Sequence, residues 1–325
     1  MKSRMKLLLL GCAASLMLAA APAGAESDWP SRSFRIVSPY GAGGPNDLAA
    51  RLIGDELGKR LDQSVVVENK VGAGTAIGNH YVAKAPADGY TLLFAAAPYS
   101  TLEALNGKLS YDPHKDLVPV AKVASAPLFL IVNADSPYKT VQDLVRLGSE
   151  KSEGLTMGSP GHGSLPHLSM ELFLRDAGVK GVVVQYKGDV AAYTDLIAGR
   201  LDATLTAITA ALPHIEAGKL RVLGVASEQP SAIYPDARPL KDQGLANVVA
   251  SGWYGFMVPA GTEQASIDRL DKEINEILQQ PDVRQRMLGM GLEITAGDQQ
   301  EFKRFIQAEM NKWAGVIEQA GIKAQ

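Results

Sequence analysis

The chain predicts an α/β fold of two lobes, one inserted into the other. Three observations carry this. Apolar strand-like runs alternate with amphipathic runs from Phe34 onward, the order that builds parallel sheets covered by helices. A strand, Gly-rich turn and helix over Phe34 to Leu61 recur over Leu155 to Ala177, with Pro39 and Pro45 spaced like Pro160 and Pro166. Far downstream, Trp253 to Val258 reads as a strand returning to the first lobe. Crossovers near 132 and 250 set the expected boundaries: 26–131 plus 250–325 for the first lobe, 132–249 for the second, behind a leader at 1–25.

In the first unit, Phe34 to Ser38 is the strand and Tyr40 to Gly44 the turn. The helix starts near Pro45 to Asp47. Pro is tolerated there because a first-turn N–H has no intrahelical partner, and Asn46 and Asp47 can cap free amides. Leu48, Leu52, Ile53, Leu57 and Leu61 form one apolar stripe. Val65 to Glu68 is a second strand, followed by the Gly72-Ala73-Gly74 turn and a helix from Thr75 to Ala85. Those glycines read G-x-G-x-x-x-G, not the G-x-G-x-x-G of a dinucleotide site, and no acidic residue follows at the right distance. Thr91 to Ala95 is a third strand, ending in Ala96-Ala97-Pro98.

Leu117 to Val123 and Leu128 to Val132 read as two extended segments, and the next helix starts at Thr140. Leu155 to Gly158 is a strand, followed by the second Gly-rich turn and a helix to Ala177. Strands at Val182 to Gln185, Asp202 to Leu205 and Leu220 to Ala226 alternate with helices at Asp189 to Ala198 and Ala210 to Ala217. Two helices close the chain, Ser266 to Gln279 and Gln299 to Gln319. The second carries Phe302, Phe305, Ile306, Met310, Trp313 and Ile317 at helical spacing, a core-facing stripe.

Lys2, Arg4 and Lys6, then the apolar run Leu7 to Ala21, then Ala23-Gly24-Ala25, make a secretory leader cleaved before Glu26. The alternative is a lipoprotein modified at Cys12. No later run is long enough to span a bilayer. The chain holds 32 Lys+Arg and 35 Asp+Glu; without the leader's three basic residues, 29 and 35 remain, a formal charge of −6. That argues against a nucleic-acid binder, which would show a basic surface. Cys12 is the only cysteine and leaves with the leader, so no disulfide framework, Cys-metal site or cysteine nucleophile is expected.

Each Gly-rich turn presents backbone N–H groups at a helix N-terminus, with the positive end of the dipole behind them. That makes an anion site without a cationic side chain. Ligands of open α/β sheets sit beyond the C-terminal strand ends, where both turns lie, so facing lobes would aim both at one cleft. The five histidines show no metal-ligand spacing. Ser159, His162 and Ser164 lie in one turn and lack a G-x-S-x-G elbow. Lys187 is either a cleft cation or a solvated strand-end lysine.

The chain closely resembles the periplasmic substrate-binding proteins of tripartite tricarboxylate transporters, the Bug-type (TctC-like) receptors. The resemblance runs from Trp29 to the C-terminus. It rests on WPSRSFRIVSPYGAGGPNDLAARL, VVVENKVGAGTAIG, ADGYTLLF, GSPGHGSLPHLSMELF, VQYKGDVAAYTDLIAGRLDA, LPHIEAGKLRVLGVAS and WYGFMVPAGT, in that order. It implies a two-lobed type II periplasmic-binding (Venus flytrap) fold and a small carboxylate held in the cleft through amides, hydroxyls and ordered water. Carried over, the first loop is Tyr40, Gly41, Ala42, Gly43, Gly44, Asn46 and Asp47. The second is Ser159, Gly161, His162, Gly163 and Ser164, with His167 adjacent and Ala97 and Pro98 between the loops. Ala96 to Tyr99 stands where relatives often carry small hydroxyl residues, and His162 where many carry a small polar one. The resemblance further implies integral-membrane transporter subunits as partners, a monomer, no cofactor or metal, no catalytic residues and a periplasmic location. A ligand-presenting sensor and a secreted α/β enzyme are the alternatives.

Overall fold

The computed structural model describes residues 29–323; the expected leader, Cys12 and the cleavage point before Glu26 lie outside the described residues. Strand β1 (Phe34–Ser38) sits between β2 (Val65–Asn69) and β3 (Thr91–Ala96), all parallel. Helices α1 (Pro45–Leu61) and α2 (Ala76–Ala83) make the crossovers. The three strands therefore end at one edge of the sheet, and the loops after Ser38, Asn69 and Ala96 gather there. After β3 the chain turns through Ala97–Ser100 into the short helix α3 (Leu102–Asn106).

Strand β4 (Leu117–Asn133) belongs to both halves of the fold. From Leu117 to Pro127 it pairs with β9 (Ser251–Pro259), which in turn pairs with β3, both antiparallel. From Leu128 onward it pairs with β7 (Thr204–Ala207) and β8 (Leu220–Val225). The two extended segments expected here are thus one strand. Pro119 has no N–H for the ladder, and the register shifts beside it, between Pro119 and Ala121, absorb that break. The partner change falls between Pro127 and Leu128.

The second half carries α4 (Val141–Glu150), started by a reciprocal cap between Thr140 and Asp143. Strands β5 (Leu155–Ser159) and β6 (Gly181–Gln185) pair in parallel around α5 (Leu165–Asp176). A bridge between Met157 and Ala203 ties this pair to the strands on β4. Helices α6 (Asp189–Ile197) and α7 (Leu212–Glu216) complete it.

Three helices, not two, close the chain: α8 (Gln264–Ile277), α9 (Pro281–Gly289) and α10 (Gln299–Ala320), with β10 (Glu293–Gly297) between the last two. Pro281 ends α8 and also opens α9, because its missing N–H costs nothing at a first helical position. Helix α10 joins both cores. Phe302, Ile306 and Met310 pack with Val37, Leu93 and Trp253, whereas Trp313, Val316 and Ile317 pack with Met157, Phe173 and Leu205. Phe305 is only half buried. On α1 the buried face is rotated from the leucine stripe: Leu48 is 41% exposed. Gly54 packs instead where a Cβ would meet Ile36 and Val65 side chains at 3.1 Å. That close helix–sheet contact turns Ala49 and Ala50 inward.

Candidate ligand-binding cleft

A cavity of about 500 Å³ opens at the shared strand edge of the first half and reaches the second Gly-rich turn. Its walls are Pro39–Tyr40 after β1, Val71–Thr75 after β2, Ala97–Pro98 after β3, one side of α3, and His162–Leu165. Of the residues carried over by resemblance, Tyr40, Ala97, Pro98, His162, Gly163 and Ser164 line it. Gly41, Ala42, Gly43, Gly44, Asn46, Asp47, Ser159, Gly161 and His167 do not. Lys187 is exposed and outside it.

The non-lining residues hold the two turns in shape. Asp47 is 2% exposed and accepts the Gly43 N–H at 2.9 Å, Asn69 Nδ2 at 2.8 Å and two bonds from Arg51. Asn69 also donates to the Tyr40 carbonyl at 2.9 Å. Burial alone would raise the Asp47 carboxyl, but the bonds from Arg51, Gly43 and Asn69 outweigh it and hold the group below its ordinary range. Asn46, expected to cap amides, instead takes the Ser38 hydroxyl on Oδ1 and donates Nδ2 to the Phe94 carbonyl. It pins the start of α1 to two strands.

His167 takes the part of Asp47 in the second turn. Its Nδ1 accepts the Gly163 N–H at 3.0 Å, as Asp47 accepts that of Gly43, again four residues back. Nδ1 is thus the acceptor, and Nε2 lies 3.7 Å from Glu171 Oε1. Gly43 and Gly163 both need positive φ, +83° and +67°, which favours glycine. The matching prolines do not occupy matching helix positions. Pro45 follows the cap Gly44 directly, whereas Leu165 separates Pro166 from the cap Ser164. The first turn is one residue longer.

No lining side chain is Lys, Arg, Asp or Glu. Burial, then the neighbouring Tyr254, keeps the Tyr40 phenol well above its usual range, so it stays a donor at neutral pH. Ser164 Oγ donates to the Gly161 carbonyl at 2.6 Å and Ser159 Oγ to the same carbonyl at 3.1 Å. His162 Nε2 lies 2.8 Å from the Lys323 carbonyl. Neither serine is bonded to a histidine ring, so the turn holds no nucleophile–base pair. Among the described residues no His, Cys, Asp or Glu cluster could hold a metal ion, and no helix is long and apolar enough to cross a membrane.

Residues outside the carried-over set form much of the wall. Gly72, Ala73, Gly74 and Thr75 have four successive positive φ values, 134°, 47°, 61° and 92°. A β-branched residue there is strained, and such strain clusters at ligand sites. The signal was in the sequence as Gly72-Ala73-Gly74 at the end of a parallel strand. α3, which brings Thr101, Leu105 and Asn106, carries no such mark.

The family described as the tripartite tricarboxylate transporter family receptor, TctC, matches residues 49–322. BugT of Bordetella pertussis is 33% identical over 306 residues, covering 94% of each chain. A TctC solute-binding protein from Polaromonas, solved with no ligand, superposes with a TM-score of 0.81 at 25% identity, covering 90% of this chain and 99% of its own. R. palustris Rpa4515, solved with adipate, superposes at 0.74 with 31% identity, covering 91% and 99%. The two-lobed α/β fold of periplasmic binding proteins is shared with these structures, and the chain belongs to the TctC family of tripartite tricarboxylate transporter receptors.

Proposed function

We propose that this chain is a periplasmic receptor that captures a small carboxylate between its lobes and hands it to the membrane subunits of a tripartite tricarboxylate-type transporter. One observation carries the reading: a cleft free of acidic side chains, walled by the glycine turns Gly72–Thr75 and His162–Ser164, each leading into a helix, and by the Tyr40 phenol. Hydrogen bonds to a charged group contribute roughly 1.5–3 kcal/mol each. A few from each lobe would support binding near −8 kcal/mol, about micromolar. The adipate held by Rpa4515 supports the ligand class. The mature protein starts at Glu26, acts as a monomer without a cofactor and carries out no catalysis.

The lobes, 26–131 with 250–325 and 132–249, close on the ligand, which shifts the population by making better contacts in the closed state. A thermal-shift screen of purified protein against several dozen mono-, di- and tricarboxylates tests the reading, since a ligand specific for the native state raises Tm. At least one dicarboxylate is expected to do so. No shift from any of them, with a shift from sugars or amines, would overturn it.

A further inference from the structure

A second cavity, of about 220 Å³, shares no lining residue with the cleft. It is built where β4, β9, β10 and α10 meet. Ser125 of β4 stands opposite Trp253 of β9 and opposite Glu293 of β10. Directly opposed residues of neighbouring antiparallel strands project to one face, so this row forms a floor. Phe305 of α10 stands over it, its ring edge-on to Trp253 at 6.0 Å.

Two residues that line this cavity carry buried, unpaired polar atoms. Trp253 is 1% exposed, yet its Nε1–H has no hydrogen-bond partner among the described residues, and neither has the buried Thr295 Oγ1. The Lys122 ammonium lies 3.9 Å from the Phe305 ring centroid. Burial pulls its pKa down, and Glu309 and Glu301 oppose this only through space. The acidic groups of the wall are already engaged. Glu309 is held by Lys312 and the Trp313 indole, Glu293 by the Ser231 hydroxyl and the Ile233 N–H, and Glu228 by Lys241. Buried donors without acceptors are costly. Two such groups, with the Lys122 ammonium and two aromatic rings beside them, ask for an acceptor that carries charge and some carbon.

We infer that this cavity is a second binding site, for a short-chain carboxylate. The Lys122 ammonium, the Trp253 indole N–H and the Thr295 hydroxyl are its donors, and the Phe305 and Trp253 rings wall its carbon chain. The site sits just before β4 changes partners, so its occupant ties together β10, both crossover strands and α10.

Butyrate titration followed by proton–nitrogen NMR tests this. The full chain has three tryptophans, Trp29, Trp253 and Trp313, and the Trp253 indole resonance is identified by its loss in Trp253→Phe. Butyrate should shift that resonance saturably, whereas chloride at equal ionic strength should not. Lys122→Met should weaken the response roughly ten- to hundredfold. Thr295→Val, which leaves the charge in place, should weaken it less and serves if Lys122→Met folds poorly. Gly163→Val, in the other cavity, should leave the response unchanged. An absent or unsaturable shift overturns the inference, as does an undiminished response in both Lys122→Met and Thr295→Val. A response lost in Gly163→Val would place the butyrate in the cleft and overturn it too.

Discussion

Asp47 does not line the cleft, yet Asp47→Ala should impair both folding and binding. The substitution leaves the Gly43 N–H and one Asn69 N–H without an ionised acceptor inside the fold. Charge-assisted bonds of this kind contribute roughly 1.5–3 kcal/mol each. Arg51 adds little, because its side chain is 44% exposed and exposed ion pairs contribute about 1 kcal/mol or less. Water entering from the Arg51 side and the retained Asn69 bond to Tyr40 offset part of the loss. The expected destabilisation is about 2–4 kcal/mol, a large effect for a single substitution. Tyr40 and the first turn loosen together, so carboxylate affinity should fall about tenfold or more, at least 1.4 kcal/mol. Asp47→Asn keeps one carbonyl oxygen and should fall between wild type and alanine. Urea unfolding gives the stability and calorimetry the affinity. The folded-state pKa of Asp47 is depressed. Its contribution is therefore complete above the unfolded carboxylate value, near pH 4, and is lost as pH falls through the folded value. The gap between wild type and Asp47→Asn should hold from pH 7 to about pH 5 and narrow below about pH 4. Native stability and affinity in Asp47→Ala, or a larger loss in Arg51→Ala, would refute this reasoning.

Three further outcomes are expected. Gly43→Val and Gly163→Val both force a β-branched residue to positive φ, at about 1–2 kcal/mol; both should unfold cooperatively and bind carboxylate weakly. Gly163→Val should be the worse, since its Cβ also meets Leu105 at 3.3 Å whereas that of Gly43 meets nothing within 4 Å; the reverse ranking in calorimetry would contradict the geometry. Lys187→Ala should bind as wild type does, because Lys187 is exposed and away from the cleft; lost binding would mean a side-chain cation recognises the anion. Small-angle scattering should show a smaller radius of gyration at ligand saturation, and an unchanged radius would speak against closure.

Much of the architecture could be read locally. Proline, glycine and apolar spacing report on the few residues around them, so the two turns, the helices behind them and the α10 stripe were legible before any packing was known. A strand over Trp253 to Val258, after a proline-rich loop, was legible too, but its pairing with β3 and β4 was not. Short pieces that owe their form to neighbours were not. β10 exists because β4 offers it an edge, α3 because the chain must turn after β3, and α9 was hidden by a proline that ends one helix and starts another. At the site the division is sharper. Asn46 and Asp47 were both read as caps for free amides, and Asp47 does accept the Gly43 N–H; Asn46 could not be told apart from it, because only the approach of Ser38 and Phe94 draws its amide into the core. Strand order brings Val71–Thr75 and α3 to the cleft, and the buried unpaired atoms near Phe305 belong to Trp253 and Thr295, on two different strands. Local preferences act over a turn of helix or a strand pair, whereas a cavity collects side chains from wherever the sheet and its covering helix bring them.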